Sequence, residues 1–190
     1  MKLIIFDLDG TILDSKKDLA LNVNRTLVDL GLSEKPHELI QSYVGYGEES
    51  LVGSAIGEEN KDRLPEAMEI FKNHYSAHLL DESKLYDGTE KILSSLKGNK
   101  KIALATNKPL YYSIPILEGV GIDHYFDTLV GGDSVSKKKP DPEMLLKILA
   151  DLNTEIDDAI LVGDTLTDLR TAKAINMKVI TVSHGFCTRE

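Results

Sequence analysis

At 190 residues, 42% of them hydrophobic and 28% charged, the chain has the composition of a globular protein of one domain, or of one domain with a modest insertion. A net charge of −9 and a sequence pI near 5.1 argue against nucleic acid or an anionic membrane as partner, since both need a basic surface. The single cysteine, Cys187, permits no internal disulfide, and no apolar run is long enough for a membrane span or a secretory signal, so a cytoplasmic protein is expected.

The chain opens MKLIIFDLDGTILDS, in which Leu3 to Phe6 reads as a buried strand. From Asp14 to about Ser83 the pattern is helical only. Leu19, Val23 and Leu27 keep one face apolar within KKDLALNVNRTLVDLG, and Met68, Phe71 and Tyr75 do the same within ENKDRLPEAMEIFKNHYSAHLL. PHELIQSYVG and EESLVGSAIG supply shorter helices between them. After the Asp87-Gly88 turn, the helical patterns GTEKILSSLKGN, DPEMLLKILADLN and TDLRTAKAIN alternate with apolar runs at 100–106, 126–132, 159–164 and 178–183. Runs of Ile, Leu, Val and Ala without polar alternation suit strands covered on both faces. This order predicts an α/β fold: a Rossmann-like three-layer parallel-sheet core over 1–13 and 84–190, with an inserted helical cap over 14–83. Pro115, in YYSIPILEGVG, conflicts with the helix expected there and should kink it or sit in its first turn.

Asp7 and Asp9 stand either side of Leu8 at the end of the first strand. Residues i and i+2 of a strand share a side, and the carboxyl ends of strands are where open α/β sheets bind ligands. Two carboxylates so placed repel, and a hard divalent cation such as Mg²⁺ relieves the conflict. Gly10 allows a tight turn beside them. Within LVGDTLTDLR, Asp164 ends another strand and Asp168 follows four residues later, so a helix starting near Thr165 brings both acids to one edge. A cation between them offsets the like-charge repulsion, although acids also favour a helix N-terminus for its own sake. ALATNKP puts the Thr106 hydroxyl at the end of a third strand, followed by Asn107 and Lys108, and SKKKPDPEML puts positive charge beside a helix start.

The motifs D-L-D-G-T, A-T-N-K-P, K-P-D-P and G-D-T-x-x-D, in this order, resemble those of the haloacid dehalogenase superfamily of phosphotransferases, and the resemblance spans essentially the whole chain. The phosphoglycolate phosphatase branch is the nearest in pattern, through GTILDS, YVGYGEESLV and GGDSVSKKKPDPEML. Sugar-phosphate phosphatases, β-type phosphoglucomutases and pyrophosphatases share most of these signals. The dehalogenases themselves lack the second acid of the first motif, so Asp9 argues against that activity.

The resemblance implies a phosphomonoesterase for a small anionic ester, with no nucleic-acid or membrane partner, working as a monomer or small homo-oligomer. Asp7 would be the nucleophile and Asp9 the general acid and base. Mg²⁺ would be held by Asp7, the Asp9 backbone carbonyl and Asp164, with Asp168 orienting its surroundings. Thr106, Asn107 and Lys139 would bind the phosphoryl oxygens, the K-P dipeptide selecting Lys139 over Lys137 and Lys138. Gly45, Tyr46 and Gly47 fall where the family carries a substrate-specificity loop, or else form a plain helix–helix linker. Tyr43, Tyr46, His74 and Tyr75 read more as cap core or surface than as ligands, and His184 and Cys187 have no chemical partner in view. Family members continue past the fifth strand, whereas this chain stops at GFCTRE; the catalytic residues all precede that point. A phosphoryl-binding scaffold without catalysis would have lost one or more of Asp7, Asp9, Thr106, Lys139 and Asp164, and a dinucleotide enzyme would carry G-x-G-x-x-G after the first strand. Neither condition is met.

Overall fold

The computed structural model describes residues 1–186; Cys187 lies outside the described residues. In chain order the elements are β1 (Leu3–Phe6), β2 (Leu13–Asp14), α1 (Lys16–Asp29), α2 (His37–Gln41), α3 (Glu48–Ile56), α4 (Leu64–Ala77), β3 (Lys84–Leu85), α5 (Thr89–Leu96), β4 (Lys101–Ala105), α6 (Leu110–Gly119), β5 (Thr128–Val130), α7 (Glu143–Asp151), β6 (Ala159–Gly163), α8 (Leu166–Ala174) and β7 (Lys178–Thr181). Five strands form one sheet in the order β5-β4-β1-β6-β7, with every pair parallel. No helix among the described residues is long and apolar enough to cross a membrane.

Alternate residues of each central strand serve opposite layers. Leu3 and Ile5 of β1, with Ala103 and Ala105 of β4, pack against α7 through Met144, Leu145 and Ile148. Phe6, Ile102 and Leu104 face the other way, toward Leu93 of α5 and Ile116 and Leu117 of α6. Both faces are therefore apolar, which is why these strands read as continuous hydrophobic runs.

The helical block α1–α4 joins the second of these layers rather than forming an isolated core. Leu19, Val23 and Leu27 of α1 and Ala67, Phe71 and Tyr75 of α4 are buried in the same cluster as Phe6 and Leu104, with Met68 only partly buried. Aromatic packing carries the join: Phe71 stacks on Tyr75 at 5.3 Å, and Tyr75 meets Tyr112 of α6 edge-on at 4.9 Å. Such pairs add about 0.5–1.5 kcal/mol each beyond their area.

The two chain crossings into and out of this block pair as an antiparallel two-stranded ladder, β2 with β3. At two residues each, these strands are too short to leave a periodic signal in the sequence. Pro115 sits inside α6, past its first turn and exposed. The Tyr111 carbonyl that it leaves without a partner belongs to a residue on the same exposed side, where water can satisfy it.

Candidate active site

Register decides which side chains meet. Phe6 lies opposite both Leu104 and Val162, so the residues just past β1, β4 and β6 emerge together at the carboxyl edge of the sheet. These are Asp7, Thr106 and Asp164, all buried. The Asp7 N–H donates to Val162 O at 2.9 Å, which holds its backbone in the ladder one residue past the strand.

Lys139 is the centre of one charge cluster. Its Nζ lies 2.9 Å from Asp7 Oδ1 and 2.6 Å from Asp168 Oδ1, and donates to Ala105 O at 2.9 Å. Lys137 is exposed and Lys138 half-buried, so one lysine of the three is fully inside. Asp168 occupies the first turn of α8, where its Oδ2 accepts from the Thr165 hydroxyl at 2.7 Å and the Thr165 N–H at 3.1 Å. It therefore caps its helix and orients Lys139 at once. Gly163 is the close approach that permits this, because a Cβ there would lie 2.4 Å from Asp168 Cγ.

Asp7, Asp164 and Asp168 each place a carboxylate oxygen within 4.8 Å of the others. Asp164 accepts from Thr11 Oγ1 at 3.2 Å and from Phe186 N–H at 2.7 Å, and it has no cationic partner among the described residues. Burial raises the Asp164 carboxyl and pushes Asp7 up to about 7, the latter against the pull of Lys139. Burial works upward on Asp168 too, but Lys139 and the Thr165 hydrogen bonds hold it below the ordinary range. An oxygen-only donor set with more negative charge than one ammonium offsets fits a hard divalent cation of the Mg²⁺ type. Asp164 accepts one neutral hydrogen bond at each oxygen, and Asp7 faces a cation at Oδ1. Asp168 is held by the Lys139 ammonium at one oxygen and doubly by Thr165 at the other, which leaves Asp7 and Asp164 the better donors.

Asp9 stands apart from that cluster. β1 stops at Phe6, and the loop then curls so that Thr11, Ile12 and Leu13 all donate their N–H groups to Leu8 O. The strand geometry that would turn Asp7 and Asp9 to the same side therefore does not extend to Asp9. Its carboxylate has its own lysine: Lys108 Nζ donates to Oδ1 at 2.8 Å and Oδ2 at 2.9 Å, and Ser15 Oγ to Oδ1 at 2.6 Å. Any part for Asp9 at a metal falls to its backbone carbonyl. Both acids line one cavity of about 50 Å³ between the helical block and the sheet edge.

The remaining expected residues divide. Thr106 lines the cavity, its hydroxyl accepting only from the Lys108 N–H at 3.2 Å, so its own proton is available to an oxygen there. The Asn107 side chain is otherwise committed: Nδ2 donates to Gly45 O at 2.8 Å and Lys139 O at 2.9 Å, and Oδ1 accepts from Lys139 N–H at 2.8 Å. It ties the lysine loop and the helical block together. Gly45 and Gly47 line the cavity; Tyr46 points away and is 49% exposed. His184 packs on Tyr86 and contacts Thr11 O at 3.0 Å. Sequence reasoning assigned no role to Lys108, Ser15 or Thr11 and set Tyr75 aside as cap core. The signal for Lys108 lay in T-N-K-P, a lysine held between a strand end and the Pro that starts a helix.

Residues 4–182 match the family model of haloacid dehalogenase-like hydrolases. A phosphoglycolate phosphatase of Colwellia psychrerythraea is 40% identical, over 97% of this chain and 85% of the relative. One of Nitrosospira multiformis is 38% identical, over 98% and 85%. Among solved structures, a predicted phosphoglycolate phosphatase of Haemophilus somnus 129PT superposes with a TM-score of 0.93 at 31% identity, covering 97% of this chain and 86% of that one. The chain belongs to the haloacid dehalogenase-like hydrolases. Within that family it is an enzyme most like the phosphoglycolate phosphatases, which are phosphoric monoester hydrolases.

Proposed function

We propose that the chain is a Mg²⁺-dependent phosphatase that hydrolyses 2-phosphoglycolate to glycolate and phosphate through a phosphoryl group carried on Asp7. The observation that carries this reading is the separation of the two acids: Asp7 sits beside Lys139 and the carboxylate cluster, and Asp9 beside its own lysine in the same cavity. The named activity of the relatives supports the substrate.

An Asp7 oxygen attacks phosphorus as the bond to the ester oxygen breaks, and Asp9 gives its proton to the departing alkoxide. Water then attacks the phosphorus as its bond to the Asp7 oxygen breaks and Asp9 takes a proton from the water, which releases phosphate and restores the Asp7 carboxylate and the protonated Asp9. Lys139 and the Thr106 hydroxyl bind the transferring oxygens, stabilising charge that moves outward in the transition state. Mg²⁺, held by Asp7, Asp164 and the Asp9 carbonyl, would neutralise phosphoryl charge.

The test is phosphate release from 2-phosphoglycolate, a panel of sugar phosphates and pyrophosphate, with Mg²⁺ and with EDTA. A wide lead for 2-phosphoglycolate in kcat/KM, abolished by EDTA, is expected. A sugar-led profile would overturn the substrate and keep Asp7 as nucleophile; metal-independent release would overturn the mechanism.

A further inference from the structure

Among the described residues, three buried side-chain atoms lack a hydrogen-bond partner: Glu48 Oε2, Tyr75 Oη and Tyr112 Oη. All three residues line the cavity that holds Asp7 and Asp9. Buried polar groups are rarely left unpaired, so their gathering at one cavity marks a place where a ligand supplies the missing partners. Two of the three complement each other, because Glu48 needs a donor and Tyr112 an acceptor, and the Glu48 charge bears on the Tyr112 hydroxyl. Tyr75, 1% exposed, has the Lys108 ammonium beside its oxygen, which addresses its lone pairs but leaves the hydroxyl proton without an acceptor among the described residues.

Beside Tyr75 lies Lys108, its Nζ 4.8 Å from the ring centroid. An ammonium has three N–H donors. Lys108 Nζ donates to the two oxygens of Asp9, its one carboxylate partner among the described residues, with the Tyr75 hydroxyl beside it. Lys139, by contrast, serves two separate carboxylates and a backbone carbonyl. Lys108 is thus a buried cation, 7% exposed, with one acid where its counterpart has two.

We propose that the Tyr75 hydroxyl and the Lys108 ammonium together receive a carboxylate borne by the leaving group, and so select esters whose alcohol carries a carboxylate on the adjacent carbon. This rests on the phosphatase reading above. Both groups are donors, and the acid beside them is already engaged by Lys108 and Ser15. A carboxylate can accept from both groups at once and answers the Lys108 charge, whereas a neutral hydroxyl offers no charge and an ammonium would be repelled. Lys108 also holds Asp9, which protonates the ester oxygen, so a group bound to Lys108 sits close to that oxygen along the carbon skeleton. A cavity of about 50 Å³ has room for only a few non-hydrogen atoms beyond the phosphoryl group.

The experiment compares kcat and KM for 2-phosphoglycolate and for ethyl phosphate, which has the same skeleton without the carboxylate. Wild type, Tyr75→Phe and Lys108→Gln are each measured with Mg²⁺. Tyr75→Phe keeps the ring that packs on Phe71 and Tyr112. Lys108→Gln disturbs Asp9 for both substrates alike, an effect that the ratio cancels. The preference for 2-phosphoglycolate is expected to fall tenfold or more in either variant, with KM carrying the loss in Tyr75→Phe; that is about one hydrogen bond to a charged group. A wild-type preference that survives within twofold in both variants overturns the inference and leaves the 2-phosphoglycolate reading standing. Wild type that hydrolyses both esters equally overturns the inference and that substrate together, and hydrolysis of neither overturns the phosphatase reading as well.

Discussion

Lys139 sets its ammonium 2.9 Å from Asp7 Oδ1, yet burial still pushes the Asp7 carboxyl up to about 7. A folded-state value above the ordinary 3.8 means that the folded protein holds this proton longer than the unfolded chain does. Between about pH 4 and pH 7 the Asp7 contribution to stability therefore falls as pH rises, and above pH 7 it is flat. Asp7→Asn is expected to remove that decline, abolish hydrolysis, and make the metal-free protein more stable than wild type at pH 8 by at most about 4 kcal/mol. Urea unfolding in EDTA at pH 5 and pH 8 measures it; equal pH slopes in the two proteins would show that Asp7 ionises normally.

Mg²⁺ should stabilise the fold more at pH 8 than at pH 5.5, because carboxylates bind it in their ionised form. The raised Asp7 and Asp164 carboxyls both contribute to that difference. Thermal melts with Mg²⁺ and with EDTA at the two pH values check it. Asp164→Asn should reduce the Mg²⁺-induced shift in Tm several-fold, and an undiminished shift would place the ion elsewhere.

Gly10 and Gly31 make a matched pair. Both have positive φ, +82° and +72°, but a Cβ on Gly10 would lie 2.3 Å from Asp164 Oδ2, while one on Gly31 meets nothing within 4 Å. Alanine at either costs about 1 kcal/mol in backbone strain. Gly10→Ala should in addition lower kcat/KM at least tenfold by displacing Asp164, and Gly31→Ala should leave it within twofold. Steady-state kinetics with the two variants side by side decide the matter.

The fully buried Asp18 carboxylate, in the first turn of α1, accepts from the N–H of Glu82, the N–H of Ser83 at 2.8 Å and the Ser83 hydroxyl at 2.6 Å. It ties the start of the helical block to the strand that returns from it. Asp18→Asn removes the charge from these bonds and should cost about 2–3 kcal/mol in urea unfolding. A loss under 0.5 kcal/mol would mean that β2 and β3 hold the crossing unaided.

Asn107→Ala severs the link between Gly45 and the Lys139 loop. Its kcat/KM should fall about tenfold to a hundredfold, since Lys139 then loses the backbone contacts that place it. Kinetics of Asn107→Ala beside Asn107→Asp check this; the Asp variant retains the acceptor for Lys139 N–H and should lose less.

The sheet, its parallel sense and the helical insertion were legible because they depend on local period and on burial of both strand faces. Leu3 to Phe6 and the runs at 100–106 and 159–164 are apolar without polar alternation, which suits strands covered on both faces. The separate settings of Asp7 and Asp9 were not legible, because a period of two assumes a strand that in fact ends at Phe6. Asn107 was read as a ligand from its neighbours in the motif, and only the fold shows both its amide hydrogens already engaged. Tyr75 looked like core because helical spacing reports the face a side chain occupies, not whether its hydroxyl finds a partner.

By itself the sequence determined which residues carry charge and hydroxyls at strand ends, because those positions follow from short-range pattern. Only the tertiary structure decided the pairing of those charges: Lys139 with Asp7 and Asp168, Lys108 with Asp9. Lys108 and Asp9 are 99 residues apart in the chain, and Lys139 and Asp168 are 29 apart. Which cation meets which acid at such separations depends on sheet order and register, and no local pattern records either.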